Sequence, residues 1–118
     1  MQGERAAERH LASRGYRIVE RNFRTRYGEL DLVAADARCI VFCEVKTRVA
    51  GSHAGPPGPL DAVGPRKRRR LRRLAGEWLR DRPPASRPRR DRLRFDAVGV
   101  TVAPDGRVLE LEHVVDAF

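Results

Sequence analysis

GELDLVAADARCIVFCEVKTR, residues 28–48, is the stretch on which the fold turns. Two apolar runs of strand length, Leu30–Ala35 and Cys39–Cys43, flank a short turn, which is the pattern of a β-hairpin. In the first run, Leu30, Leu32 and Ala34 are expected to share one face. In the second, Ile40, Val41, Phe42 and Cys43 are apolar at consecutive positions, so that strand is expected to lie centrally with both faces covered. Charges intrude on both strands: Glu29 and Asp31 on the first, Glu44 and Lys46 on the second.

A four-residue loop, Ala35–Arg38, would pair Ala34 with Cys39, Glu29 with Glu44, and Asp31 with Phe42. Glu29, Asp31, Glu44 and Lys46 would then project to one side, with Asp31 diagonal to Glu44. Like charges placed opposite one another destabilise a sheet, and carboxylates at a dry strand end cost more still. A divalent cation between them removes that cost, and a few carboxylates completed by water suit Mg²⁺ or Mn²⁺. Lysine adds to the pattern, because the chain holds 23 Arg but only 2 Lys, Lys46 and Lys67. A compact ammonium can hydrogen-bond an attacking water or a phosphoryl oxygen, and its pKa moves readily, whereas a guanidinium stays protonated. Acids, metal and lysine together make a site for metal-assisted phosphodiester hydrolysis. The same spacing has a second reading: Ile40, Phe42, Glu44, Lys46 and Arg48 also describe a strand leaving the core for solvent.

Outward from the hairpin, residues 3–14 carry Ala7 and Leu11 at helical spacing and end at Gly15, a helix stop. Tyr16–Asn22 reads as a strand with Ile18 inward. Residues 49–64 form a flexible Gly- and Pro-rich loop. Pro65 opens a helix whose Leu71, Leu74, Ala75, Trp78 and Leu79 make an apolar stripe, with Trp78 in the core. Residues 81–92 are an Arg/Pro-rich loop, and Leu93–Val102 and Arg107–Val115 form a second hairpin about a Pro-Asp-Gly turn. The expectation is one α/β domain, residues 1–118, with a mixed sheet flanked by helices in the order α-β-β-β-α-β-β.

The net charge is +9, which points to an anionic partner such as nucleic acid. Residues 66–94 hold 14 Arg or Lys against 3 Asp or Glu, so the basic character is local. Cys39 and Cys43, four apart on one strand, would be roughly 13 Å apart, too far for a disulfide. Unbridged thiols favour a reducing cytoplasm. The N-terminal segment lacks the apolar core of a signal peptide, and no apolar run has the length of a membrane span, so a soluble cytoplasmic protein with no membrane contact is expected. His10, His53 and His113 are far apart in sequence and do not resemble a zinc site.

Asp31 followed by Glu44-Val45-Lys46 resembles the PD-(D/E)xK motif of restriction-endonuclease-like nucleases, with Leu30 in place of the naming proline. The whole chain is similar to the YraN family of small bacterial proteins. The likeness runs through Gly3-Glu4 with Ala7 and Leu11, Gly15-Tyr16, Asn22 and Arg24, and Gly28-Glu29-Leu30-Asp31-Leu32. It continues through Val41–Arg48, Ala62-Val63, Lys67, Arg94-Phe95-Asp96, and His113 with Ala117-Phe118. Cys43 stands where that pattern has valine.

The resemblance implies a restriction-endonuclease-like core and a Mg²⁺- or Mn²⁺-dependent endonuclease acting on DNA more than RNA, including branched or damaged DNA. It assigns metal binding to Asp31 and Glu44, with Glu4 on the first helix joining them, and gives Lys46 the hydrolytic water. Glu4 is also the acid a helix's first turn favours, and Glu8 is its fallback one turn on. Glu29 reads as a supporting residue. Arg48, Arg66, Lys67, Arg69 and Arg70 are the candidate nucleic-acid contacts, and a homodimer is compatible with the pattern. The alternative functions are a non-catalytic nucleic-acid-binding module that keeps the fold, and a basic scaffold for an acidic protein.

Overall fold

The computed structural model describes residues 2–51, 64–81 and 92–118. The elements are α1 (Gln2–Ser13), β1 (Arg17–Thr25), β2 (Gly28–Ala35), β3 (Cys39–Val49), α2 (Pro65–Asp81), β4 (Arg92–Val102) and β5 (Val108–Val114). The strands form one mixed sheet in the order β1-β2-β3-β4-β5. All neighbours are antiparallel except β3 and β4, which run parallel from Cys39↔Arg92 to Val49↔Val102. That parallel pair requires a crossover, and α2 lies in the connection. The loops expected over 49–64 and 81–92 are shorter at their ends, because Val49 and Arg92 pair in the sheet and Asp81 ends α2. Their middles, 52–63 and 82–91, lie outside the described residues.

β3 is the centre of the molecule. Val41 and Cys43 pack beneath α1 with Ala6, Ala7, Leu11, Leu32, Ala34, Val98 and Val100. Ile40 and Phe42 pack on the other face with Leu71, Leu74, Ala75 and Trp78 of α2. Consecutive apolar residues are therefore all buried, each on its own side. Trp78 is a core residue, edge-on to Phe42 with ring centroids 5.8 Å apart. α1 stops where Gly15 takes a positive φ of 90°. Tyr16 N–H then bonds Leu11 O at 3.0 Å and Gly15 N–H bonds Ala12 O at 3.1 Å, capping the orphan carbonyls. Among the described residues no helix is long and apolar enough to cross a membrane.

Two expectations about the hairpin are corrected. The β2–β3 register is Leu32↔Cys43, Val33↔Phe42, Ala34↔Val41 and Ala35↔Ile40, two residues away from the expected pairing of Ala34 with Cys39. Asp36 is the cause. Its Oδ1 accepts from the Arg38 and Cys39 N–H groups, both at 2.8 Å, and its own N–H bonds Cys39 O at 3.0 Å, which tightens the turn. Glu29 is thus not opposite Glu44, nor Asp31 opposite Phe42, and the pairing ends at Leu32↔Cys43, short of Asp31 and Glu44. A slip of two conserves side-chain parity within the paired residues.

The second correction concerns β2. Leu32 and Ala34 pack under α1, but Leu30 packs on the α2 side with Val33. The alternation breaks at Asp31. Beside the break, Asn22 of β1 sits at φ 51°, between the paired residues Arg21↔Leu32 and Phe23↔Leu30.

A candidate metal centre beside a basic helix

The charged end of the hairpin is closed by the start of α1. A Cβ on Gly3 would overlap the Thr47 hydroxyl of β3, so only glycine lets the helix sit this close to the strand. That approach delivers Glu4 to the strands. Glu4, Glu29 and Asp31 each present a carboxylate oxygen, and these oxygens lie within 4.8 Å of one another. Asn22 ties the group together: with its amide nitrogen facing the acids, it donates to Glu29 Oε1 at 2.8 Å and Glu4 Oε1 at 3.2 Å. Arg24 Nε meets Glu29 Oε2 at 3.0 Å. Glu8, one turn along α1, pairs instead with Arg21 at 2.9 Å.

Asp31 is the electrostatic focus. Burial pushes its carboxyl up to about 6; the Val45 N–H, donating to Oδ2 at 2.8 Å, opposes the rise, while Glu44, Glu4 and Glu29 add to it. β2–β3 pairing reaches only Leu32↔Cys43, so the Val45 N–H turns to a side chain where a ladder partner would otherwise stand.

Glu44, on β3, is not one of the three acids whose oxygens meet within 4.8 Å, and it stands in a different state. Its Oε1 is 2.7 Å from Lys67 Nζ and 3.9 Å from Lys46 Nζ. Its Oε2 is buried and has no hydrogen-bond partner. An orphaned buried carboxylate oxygen is costly unless something is meant to meet it. Contact with the Lys67 ammonium, burial, and the same positive charge hold Lys46 below the ordinary lysine value, against the pull of Glu44 and Asp31.

The structure thus brings together Glu4, Glu29 and Asp31, with Glu44, Lys46 and Lys67 beside them. Glu29, expected in support, belongs to the acid group itself. Lys67, expected on phosphate, turns inward to Glu44. Arg66, Arg69 and Arg70 are exposed on α2, and Arg48 is exposed near the end of β3. Arg70 lies over the start of β2, its Cδ 3.5 Å from where a Cβ on Gly28 would be. The donor set fits a hard divalent cation. It consists only of carboxylate oxygens from separate elements, with one neighbouring carboxylate oxygen unsatisfied and one acid pushed up by burial and by the acids around it.

Asn22 and Gly3 were not singled out as site residues by sequence reasoning. Each carried a signal: a glycine directly before a candidate ligand, and an asparagine in a strand-like run, a residue that tolerates positive φ. His10 and His113, expected to lie far apart, meet with His10 Nε2 3.0 Å from His113 Nδ1; His53 lies outside the described residues.

The model of Uncharacterised protein family UPF0102 matches residues 3–100, which spans every site residue above. The chain belongs to the UPF0102 family. Among its UPF0102 relatives, the protein of Rhodococcus jostii is 47% identical over 116 residues, covering 98% of this chain and 92% of that one. The UPF0102 protein of Kineococcus radiotolerans is 48% identical over 112 residues, covering 95% and 86% respectively. That of Mycobacterium tuberculosis H37Rv is 48% identical over 116 residues, covering 95% and 85%. The UPF0102 likeness therefore runs through nearly the whole domain.

Proposed function

We propose that this UPF0102 chain is a Mg²⁺- or Mn²⁺-dependent endonuclease that hydrolyses phosphodiester bonds, in DNA before RNA, with branched or damaged DNA as its substrate class. In this reading the fold is restriction-endonuclease-like, and Asp31 with Glu44-Val45-Lys46 is a PD-(D/E)xK-type site. The observation that carries the reading is the meeting of Glu4, Glu29 and Asp31 beside a Glu44 whose Oε2 is buried and unpaired.

Asp31, Glu44 and Glu4 would hold the ion, with Glu29 beside them and Asn22, donating to Glu29 and Glu4, fixing those two carboxylates. Once bound, the ion supplies Lewis-acid polarisation of a phosphoryl oxygen and makes a bound water more acidic. Lys46, its Nζ partly exposed beside Glu44, orients the attacking water and can exchange a proton with it, since its pKa is depressed. Arg66, Arg69 and Arg70 on α2, with Arg48, neutralise the flanking phosphates and set the strand over the acids.

A second reading, a non-catalytic nucleic-acid-binding module, draws on one observation: Glu44 already carries an ammonium partner in Lys67. Cleavage assays with Mn²⁺ on branched, flapped and plain duplex DNA separate the two. The nuclease reading expects cleavage that Glu44→Ala and Lys46→Ala each reduce at least a hundredfold. Equal activity in both variants and the wild type removes the assignment, and salt-sensitive binding without cleavage supports the module.

A further inference from the structure

The chain uses arginine almost without exception, yet its two lysines, from β3 and from α2, converge on one carboxylate oxygen, Glu44 Oε1. We infer that Lys67 is a positioning residue of the metal centre: it holds Glu44 Oε1 so that the buried, unpaired Oε2 is left for the ion. This rests on the metal-dependent reading above, and it replaces the phosphate-contact role that the position of Lys67 in a basic helix would give it.

Three features carry the assignment. Lys67 Nζ is 2.7 Å from Glu44 Oε1, and both side chains are only 15% exposed, so this is a sheltered pair and not a screened surface contact. The neighbouring arginines Arg66, Arg69 and Arg70 are exposed, which leaves phosphate contacts to them. Glu44 Oε2 is buried without a partner, so one oxygen is occupied and the other is held ready.

The chemistry explains why lysine is kept here. A ligating carboxylate has two equivalent oxygens, and a donor on one of them selects the other for the ion. Partners of this outer kind affect metal affinity tenfold or more when removed. A compact ammonium fits on one oxygen of a half-buried carboxylate and leaves its twin free. A planar guanidinium tends to take both oxygens in a bidentate pair. Because Lys67 belongs to α2, the same contact also fixes the arginine-bearing helix relative to the centre.

The test is Mn²⁺ calorimetry without nucleic acid on the wild type, Lys67→Met, Lys67→Arg and Arg68→Ala, with each variant's melting temperature checked to confirm folding. The expected result is affinity at least about tenfold weaker in Lys67→Met, no full restoration in Lys67→Arg, and a wild-type isotherm in Arg68→Ala, an exposed α2 residue. Wild-type or tighter Mn²⁺ binding in both Lys67 variants overturns the inference while leaving the metal centre standing. Absence of Mn²⁺ binding by the wild-type protein overturns the metal-dependent reading itself, and the inference with it.

Discussion

Asp31 and Asp96 stand two strands apart in one sheet and are treated in opposite ways. Asp96, on β4, is fully buried. Arg94 grips it with two bonds, Nε to Oδ1 at 2.8 Å and a terminal nitrogen to Oδ2 at 2.7 Å. His113 meets Oδ2 at 2.8 Å, and the Asp116 N–H donates to Oδ1 at 3.0 Å. Burial pushes its pKa up, but Arg94, Asp116 and His113 outweigh burial and hold it below the usual carboxylate value. Asp31 is pushed up to about 6 by burial, with Glu44, Glu4 and Glu29 adding to the rise and a single backbone donor, the Val45 N–H, opposing it. The first aspartate is a completed network that ties β4 to β5 and the C-terminal residues. The second is a carboxyl set among other acids, which the proposed cation would complete.

The comparison predicts opposite responses to removal. Asp96→Ala leaves Arg94 and His113 facing an empty buried position, and breaking a buried pair in this way costs about 3–5 kcal/mol. Urea unfolding should read that loss; a change below 1 kcal/mol would mean the network is incidental.

Asp31→Asn should do the reverse in protein stripped of divalent ions. A carboxyl whose folded pKa is raised contributes its stability at low pH, below the unfolded value, and loses it as pH climbs through the folded value. The wild type should therefore fall behind Asp31→Asn as pH passes from 4 to 7, and match it below pH 4. The shift from 3.8 to about 6 caps the difference at about 3 kcal/mol, with partial exposure reducing it. A constant gap between the two proteins across that range would contradict the account.

A smaller effect tests how the acid group is assembled. Gly3→Ala must displace Thr47, and an overpacked contact of this kind costs about 1–3 kcal/mol. Because Glu4 follows Gly3 directly, the variant should lose more Mn²⁺ affinity than Ala12→Gly on the exposed side of α1. Equal affinity in the two variants would detach Glu4 from the centre.

Much of the frame was legible in the sequence, and the reasons are local. The run Ile40–Cys43 announced a strand buried on both faces, and the stripe from Leu71 to Leu79 announced α2 with Trp78 in the core. The register was not legible, because it depends on one side chain, Asp36, folding back onto two amides of its own turn. Nor was the break at Asp31, which turned Leu30 to the opposite side from Leu32. The Asp96 network escaped as well. Its participants, His10, Tyr16, Arg94 and His113, come from separate parts of the chain, and no spacing rule links them. Of the candidate centre, Asp31, Glu44 and Lys46 were marked by charge on an apolar hairpin. Lys67 was marked only by its rarity, and its direction needed the helix in place.

The central claim is that a cation completes the acids around Asp31, and the most direct measurement is Mn²⁺ titration of the wild-type protein beside Asp31→Asn and Glu44→Gln, by calorimetry at pH 7.5. The account predicts a saturable site in the wild type that each substitution weakens at least tenfold, while Asp105→Asn at the distant β4–β5 turn leaves it unchanged. A wild type that binds no Mn²⁺, or one whose binding survives both substitutions, would contradict it.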